Sequence, residues 1–247
     1  MLHIASRAEL SKFCHSNLRH IRGEIREVVL EFQGLNRYEY FTQPSRPQEL
    51  LWADEGILFV IPYTHPWSWM NEASVAYVNW LLDELFRLLA LDSATPIVST
   101  GFSMGGQEAI IYPMYADRPV AAVMANSPVC DLKYHLTERD DLPRTILSAF
   151  IVHSEGFDRG VESRSPIHCI DRLKDIPYLI ISGGMDDQVN QDIHARRLVA
   201  LMRERCMRVV HCESPTMRHW AIDDSGILRR SLAFIAGGYT DVAPGAP

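Results

Sequence analysis

From residue 26 to residue 236 the chain alternates short apolar runs, bounded by glycine or proline, with stretches whose apolar residues recur every three or four positions. That alternation of two periods leaves few folds open. An apolar run too short for a helix is a strand buried on both faces, and the amphipathic stretches are helices that cover it. Strands are predicted over 26–33, 56–61, 96–100, 120–125, 178–182 and 207–212, and helices over 7–20, 48–55, 71–91, from 104 onward, 191–205 and 222–236. In the helix over 71–91, Val75, Val78, Leu82, Leu85 and Leu89 share one face. Repeated strand-helix units build a mostly parallel sheet, here of about six strands, with helices on both faces.

Residues 129–164 interrupt the alternation after the fourth strand, with a helical stretch over 142–151. An insertion at the C-terminal end of such a strand overhangs the ligand crevice as a small lid; the alternative is a surface excursion remote from the site. With 247 residues, 47% hydrophobic and 22% charged, residues 1–247 are expected to form a single α/β domain. No internal repeat is visible, and residues 242–247 read as a frayed tail.

A formal charge of −7, with Lys and Arg scattered rather than clustered, argues against nucleic acid as a partner. The first ten residues carry charges and no apolar core, so no secretory signal is expected there. No run approaches the ~18 apolar residues that cross a bilayer; no membrane partner is expected, and the predicted location is cytoplasmic. Five cysteines without a C-x-x-C pair fit neither a disulfide framework nor a zinc site. No metal and no cofactor is expected.

Gly101, Phe102, Ser103, Met104 and Gly105 fit G-x-S-x-G between a predicted strand and a predicted helix. The motif holds its serine on a sharp, strained turn, which requires small residues two before and two after it. Taken alone it also reads as a serine N-cap or as a glycine turn that binds an anion. Chain order separates these readings, because the acid and then the histidine of such hydrolases follow the serine at later strand ends. Asp186 lies directly after the fifth strand, with Asp187 as the near rival and Asp131 as the distant one. His219 lies in the loop after the last strand, whereas His211 lies inside that strand and is expected to be structural.

With these residues in place the chain resembles the α/β-hydrolase superfamily, in particular small single-domain esterases and the catalytic domains of prolyl-oligopeptidase-like peptidases. The resemblance covers about residues 25–236. Gly101 to Gly106 resemble the nucleophile elbow, Gly183 to Val189 the Gly-x-x-Asp-x-x-Val acid loop, and His219 the final histidine. It implies Ser103 as nucleophile, His219 as base and Asp186 as the acid that orients the base. One departure is that Gln33 and Gly34 stand where the family usually has His-Gly. Because an oxyanion hole needs backbone N–H groups rather than one side chain, the resemblance still implies the amides of Leu35 and Met104 as donors.

Residues facing substrate are expected to include Gly34 in that loop and, after the second strand, Tyr63, Trp67 and Trp69, whose rings could stack on a sugar or an aromatic group. Their alternative is ordinary core packing. His65 belongs to the same segment. The implied activity is that of a carboxylesterase on a small or medium ester; a small peptidase or amidase, and a noncatalytic binding protein that kept the fold, are the competing readings. The substrate is a small-molecule ester or a peptide-like compound.

Overall fold

A computed structural model describes residues 3–37, 47–219 and 222–243. Among them, seven strands form one sheet: β1 (Cys14–Ser16), β2 (Glu27–Phe32), β3 (Ile57–Pro62), β4 (Ile97–Phe102), β5 (Ala122–Asn126), β6 (Tyr178–Gly183) and β7 (Val209–Ser214). The spatial order is β1-β3-β2-β4-β5-β6-β7, with β1 antiparallel to β3 and all other neighbours parallel. The chain first grows from β2 to β3 and then turns back past β2 to β4. Connections therefore leave in opposite directions at β2 and β4, and the crevice at their C-terminal ends is where sheets of this kind bind ligands.

Strand residues alternate between two cores. Val28, Leu30, Leu58 and Val60 pack with helices α2 (Glu72–Leu89), α3 (Met104–Ile111) and α7 (Arg197–Glu204), whereas Val29, Ile57, Phe59 and Ile61 pack with α1 (Pro47–Asp54) and α8 (Ser225–Ile235). Burial on both faces explains why the strands read as continuous apolar runs. Val78, Leu82, Leu85 and Leu89 of α2 are buried as their spacing requires, each contributing about 1.5–3 kcal/mol. The helix begins at its cap, Asn71, whose side chain accepts the Ser74 N–H at 2.9 Å, and ends at Ala90 in a left-handed conformation.

The predicted helix over 7–20 is a misreading. Two 3-10 turns, Arg7–Lys12 and Leu18–His20, flank β1, which pairs with Val60, Ile61 and Pro62. Exposed edge groups of β3 create a demand for partners that local propensity does not reveal. Just beyond β1, the buried Asn17 side chain donates to the Ile57 and Glu49 carbonyls and accepts the Phe59 N–H. Hence the sheet has seven strands rather than six. The helix over 191–205 also divides, opening with a wide π-type turn, Asp192–Arg196, before α7. Of the expected tail, Val242 packs against the α1/α8 core, while 244–247 lie outside the described residues.

The insertion at 129–164 folds as α4 (Leu132–His135), α5 (Leu142–Phe150) and α6 (Phe157–Ser163). Its apolar underside forms a third cluster with Trp69 and Met104. Met104 follows Ser103 directly, so the insertion is not remote from that residue. It is fastened to the loop after β3: Trp69 Nε1 donates to Thr145 Oγ1 at 3.2 Å, and Arg164 Nε to the Met70 carbonyl at 2.5 Å. Among the described residues, no helix is long and apolar enough to cross a membrane.

Candidate active site

The turn from β4 to α3 places Ser103 at φ 59° and ψ −119°. A non-glycine residue with positive φ is strained, and such strain persists only where surrounding bonds over-determine it. Here the Ser103 N–H donates to the Asn126 carbonyl at 2.9 Å, and the Ser103 carbonyl accepts from Gln107 N at 3.1 Å. The flanking glycines are fixed by contact distance. A Cβ on Gly101 would lie 2.1 Å from the Gly105 carbonyl oxygen, and one on Gly105 would lie 2.1 Å from that of Phe32. Any side chain at either position would separate β2, β4 and α3.

Asp186 follows β6, and His219 lies after β7. The two loops are drawn together where the Gly184 N–H donates to the Ser214 carbonyl at 2.8 Å and the Met185 N–H to that of Met217 at 3.1 Å. His219 Nδ1 is 2.8 Å from Asp186 Oδ2, and His219 Nε2 is 3.0 Å from Ser103 Oγ. The Asp186 side chain is fully buried and that of His219 is 4% exposed, so neither contact competes with water. Asp186 Oδ1 accepts the N–H groups of Gln188 and Val189 at 2.9 and 3.0 Å, and Oδ2 also accepts Gln191 Nε2 at 2.7 Å. Burial alone would push the Asp186 carboxyl up; the hydrogen bond from His219, the charge of that ring and the two backbone donors together hold it below the usual carboxylate range. Asp186 is therefore an ionised acceptor at neutral pH.

No protein-family model matches the sequence, and no curated protein does. Among solved structures the chain is similar to a puromycin-hydrolyzing peptidase of Mycobacterium tuberculosis (TM-score 0.68, 20% identity, 92% of this chain and 35% of that one). It is also similar to esterase B of Lactobacillus rhamnosis (0.64, 12%, 90% and 79%) and to the fluorophosphonate-binding serine hydrolase F of Staphylococcus aureus (0.65, 12%, 87% and 85%). The chain has the α/β-hydrolase fold. It spans about a third of the length of the peptidases it resembles.

In that fold the rivals to the three converging residues fall elsewhere. Asp187 is exposed and, among the described residues, accepts from Gln188 Nε2 at 3.2 Å. Asp131 caps α4 through the Tyr134 N–H and meets His168 at 3.2 Å. His211 is bonded to Ser182 at 2.8 Å, and His65 is exposed, accepting the Trp67 N–H.

Leu35 sits at the second position of a tight turn closed by the Arg37 N–H on the Gly34 carbonyl at 3.1 Å, and Met104 opens α3. Among the described residues, neither backbone N–H finds a protein acceptor. Both belong to or pack on the cluster beneath the insertion. Gly34 is buried beside the Phe102 ring, on the wall of a cavity of about 370 Å³ that Gln33, Trp52, Leu228 and Ile235 also line.

The three aromatic residues expected to face substrate have different fates. Trp69 is 1% exposed inside the third cluster, so it is core and offers no stacking surface; its φ of 44° and the φ of 53° at Met70 turn the ring inward beneath α5. Tyr63 lies beside the edge strand, its N–H donating to the Phe13 carbonyl at 3.1 Å. Trp67 is only partly buried, donates from Nε1 to Asn36 Oδ1 at 2.7 Å and lies 4.9 Å beneath the Arg144 guanidinium. It joins the Leu35 loop to the insertion.

Two contributors escaped sequence reasoning. Gln191 steadies Asp186 from five residues away, and the Phe102 ring packs 4.7 Å from that of His219. The second had a signal, since the residue before an elbow serine lies beside it in the strand; the first had none.

Proposed function

We propose that the chain is a serine hydrolase that cleaves a carboxylic ester of small or medium size through an acyl-enzyme. The observation that supports this is the unbroken hydrogen-bond line from Asp186 through His219 to Ser103, with Ser103 on a strained turn. In this reading His219 Nε2 accepts the hydroxyl proton as Ser103 Oγ attacks the carbonyl carbon. The Leu35 and Met104 amides, without a protein acceptor among the described residues, stabilise the oxyanion, aided by the N-terminus of α3. Asp186 holds the tautomer with the proton on Nδ1 and stabilises the imidazolium. His219 then protonates the leaving alcohol, and water repeats the cycle on the acyl group. The insertion would roof the site over Met104.

A peptidase or amidase is the second reading, favoured by the likeness to peptidases of which the chain covers about a third. The test is a panel of chromogenic esters beside aminoacyl amides, run on wild type and Ser103→Ala with a fluorophosphonate probe. Ester turnover that vanishes in Ser103→Ala is the expected result. Turnover of amides alone selects the second reading. Absence of both labelling and turnover in wild type selects a noncatalytic binding protein.

A further inference from the structure

The acid loop is fastened from outside by a side-chain cluster that the reaction itself does not use. Resting on the reading that Ser103, His219 and Asp186 act together, we infer that Glu138 is a positioning residue: its carboxylate locks the insertion to the acid loop and so fixes Asp186 against His219. Glu138 lies just after α4, at the base of the insertion, with 11% of its side chain exposed. Oε1 accepts the Asn190 N–H at 2.9 Å, and Oε2 accepts from His194 Nε2 at 2.9 Å and from His135 Nδ1. One carboxylate thus satisfies three donors from three segments.

The same three side chains offer a cation-like donor set, with ligand atoms within 4.8 Å of one another. The tautomer of His194 argues against that use. Its Nδ1 faces two donors, the backbone N–H groups of Cys130 and Asp131 at 2.9 and 3.1 Å. Nδ1 therefore carries the lone pair and Nε2 the proton, which points at Glu138. A ligating Nε2 would need its lone pair there, leaving the two N–H groups opposed by a third. The cluster is a hydrogen-bond junction. Burial acts to raise the Glu138 carboxyl, but the hydrogen bonds from the His135 and His194 rings and from the Asn190 N–H hold it well below the ordinary range. It is ionised at neutral pH.

The route to the site is short. Asn190 precedes Gln191, whose amide donates to the Asp186 oxygen that also receives His219. Next to Glu138, Arg139 Nη1 donates to Gln188 Oε1 at 2.9 Å, and the Gln188 N–H donates to Asp186. The loop is held at 188 and 190 while Asp186 projects inward between them and the sheet. Misplacement of a catalytic group by about 1 Å costs on the order of 10²-fold in rate.

Glu138→Gln keeps the shape but cannot accept from all three donors. With active sites counted by fluorophosphonate, kcat per labelled site is expected to fall roughly 10- to 100-fold, with KM within about twofold because no substrate contact changes. The downfield proton resonance of His219 Nδ1–H is expected to shift or broaden. Val161→Ala, which loosens the insertion's core and removes none of the hydrogen bonds to Glu138 or Asp186, is expected to lower Tm and to leave both readouts unchanged. An E138Q enzyme with wild-type kcat and an unaltered resonance overturns the inference, as does a V161A enzyme that reproduces the E138Q losses. Activity removed by a chelator and restored by zinc would instead assign the cluster to a cation. If E138Q does not fold, E138D, whose shorter carboxylate cannot span the three donors, is read by the same outcomes. A wild type that neither labels nor turns over removes the parent reading and this one with it, whereas a labelled, active wild type equal to E138Q removes only this one.

Discussion

Among the described residues, two serine-histidine hydrogen bonds lie in or at the end of the sheet, Ser103 with His219 at 3.0 Å and Ser182 with His211 at 2.8 Å. Only the first has the surroundings of a nucleophile. Ser182 lies within β6 and is fully buried, and His211 lies within β7. The carboxylate near His211, that of Glu213, is engaged by Arg196 instead. Burial lowers the His211 pKa, and the nearby charge of Glu213 only partly opposes it, so this imidazole stays neutral and structural. Ser103 sits past the strand end on a strained turn, and its histidine is held by a buried carboxylate. A short Ser–His distance is therefore a weak criterion; the backbone turn and the third residue distinguish the pairs.

The largest expected effect separates them outright. Ser103→Ala should reduce kcat by roughly 10⁵-fold or more while circular dichroism and Tm stay near wild type. Ser182→Ala should retain turnover and fluorophosphonate labelling, and lose about 1–2 kcal/mol of stability because His211 is left without its partner. Labelling that disappears in S182A and survives in S103A would invert the comparison.

Next in size is the carboxylate. Asp186→Asn should lower kcat by about 10⁴-fold by favouring the wrong tautomer of His219. The exposed Asp187, changed to Asn, should leave the rate near wild type. Steady-state kinetics on the two variants decide it, and a greater loss in D187N means that the acid loop is read one residue out of register.

The smallest effect concerns stability and sharpens a related contrast between two buried carboxyls. Asp186 is held low by an imidazole and backbone donors, whereas Glu108, in α3, accepts from the Ser68 hydroxyl and Met70 N–H, with no cationic partner among the described residues, and burial pushes it up to about 7. The signs differ. The Asp186 contribution is present above the unfolded carboxylate value near ~3.9 and is lost as pH falls through its lower folded value. The Glu108 contribution is present below ~4.3 and is lost as pH rises through about 7. Glu108→Gln should therefore gain Tm relative to wild type between pH 5 and pH 8, by an amount equivalent to roughly 3 kcal/mol at most. A Tm difference between the two proteins that stays constant over that range would show that Glu108 remains ionised when folded.

Much of this was legible because the relevant constraints are local or periodic. Val28 to Phe32 and Ile57 to Ile61 show sheet burial directly in their side chains, and Gly101 and Gly105 record a backbone contact that tolerates no Cβ. The order Ser103, Asp186, His219 could be placed because each follows a strand. What the sequence concealed depends on partners distant in the chain. Cys14 to Ser16 form a strand only because β3 presents an unpaired edge, and Trp69 is core because three insertion helices cover it. Glu138 and Gln191 carried no distinguishing pattern, since each is defined by a partner that only folding brings to it.

The amino-acid sequence by itself determined that a parallel sheet forms, which strand ends carry the hydroxyl, carboxylate and imidazole, and that a tight turn holds Ser103. Those follow from side-chain periodicity and from steric limits within a few residues. Tertiary structure alone decided that these three groups meet at 2.8 and 3.0 Å, that Trp67 rather than Trp69 reaches the surface, and that Glu138 ties the insertion to the acid loop. A hydrogen bond depends on positions to within a few tenths of an ångström, and such positions are set by packing among segments whose separation in the chain says nothing of their distance in space.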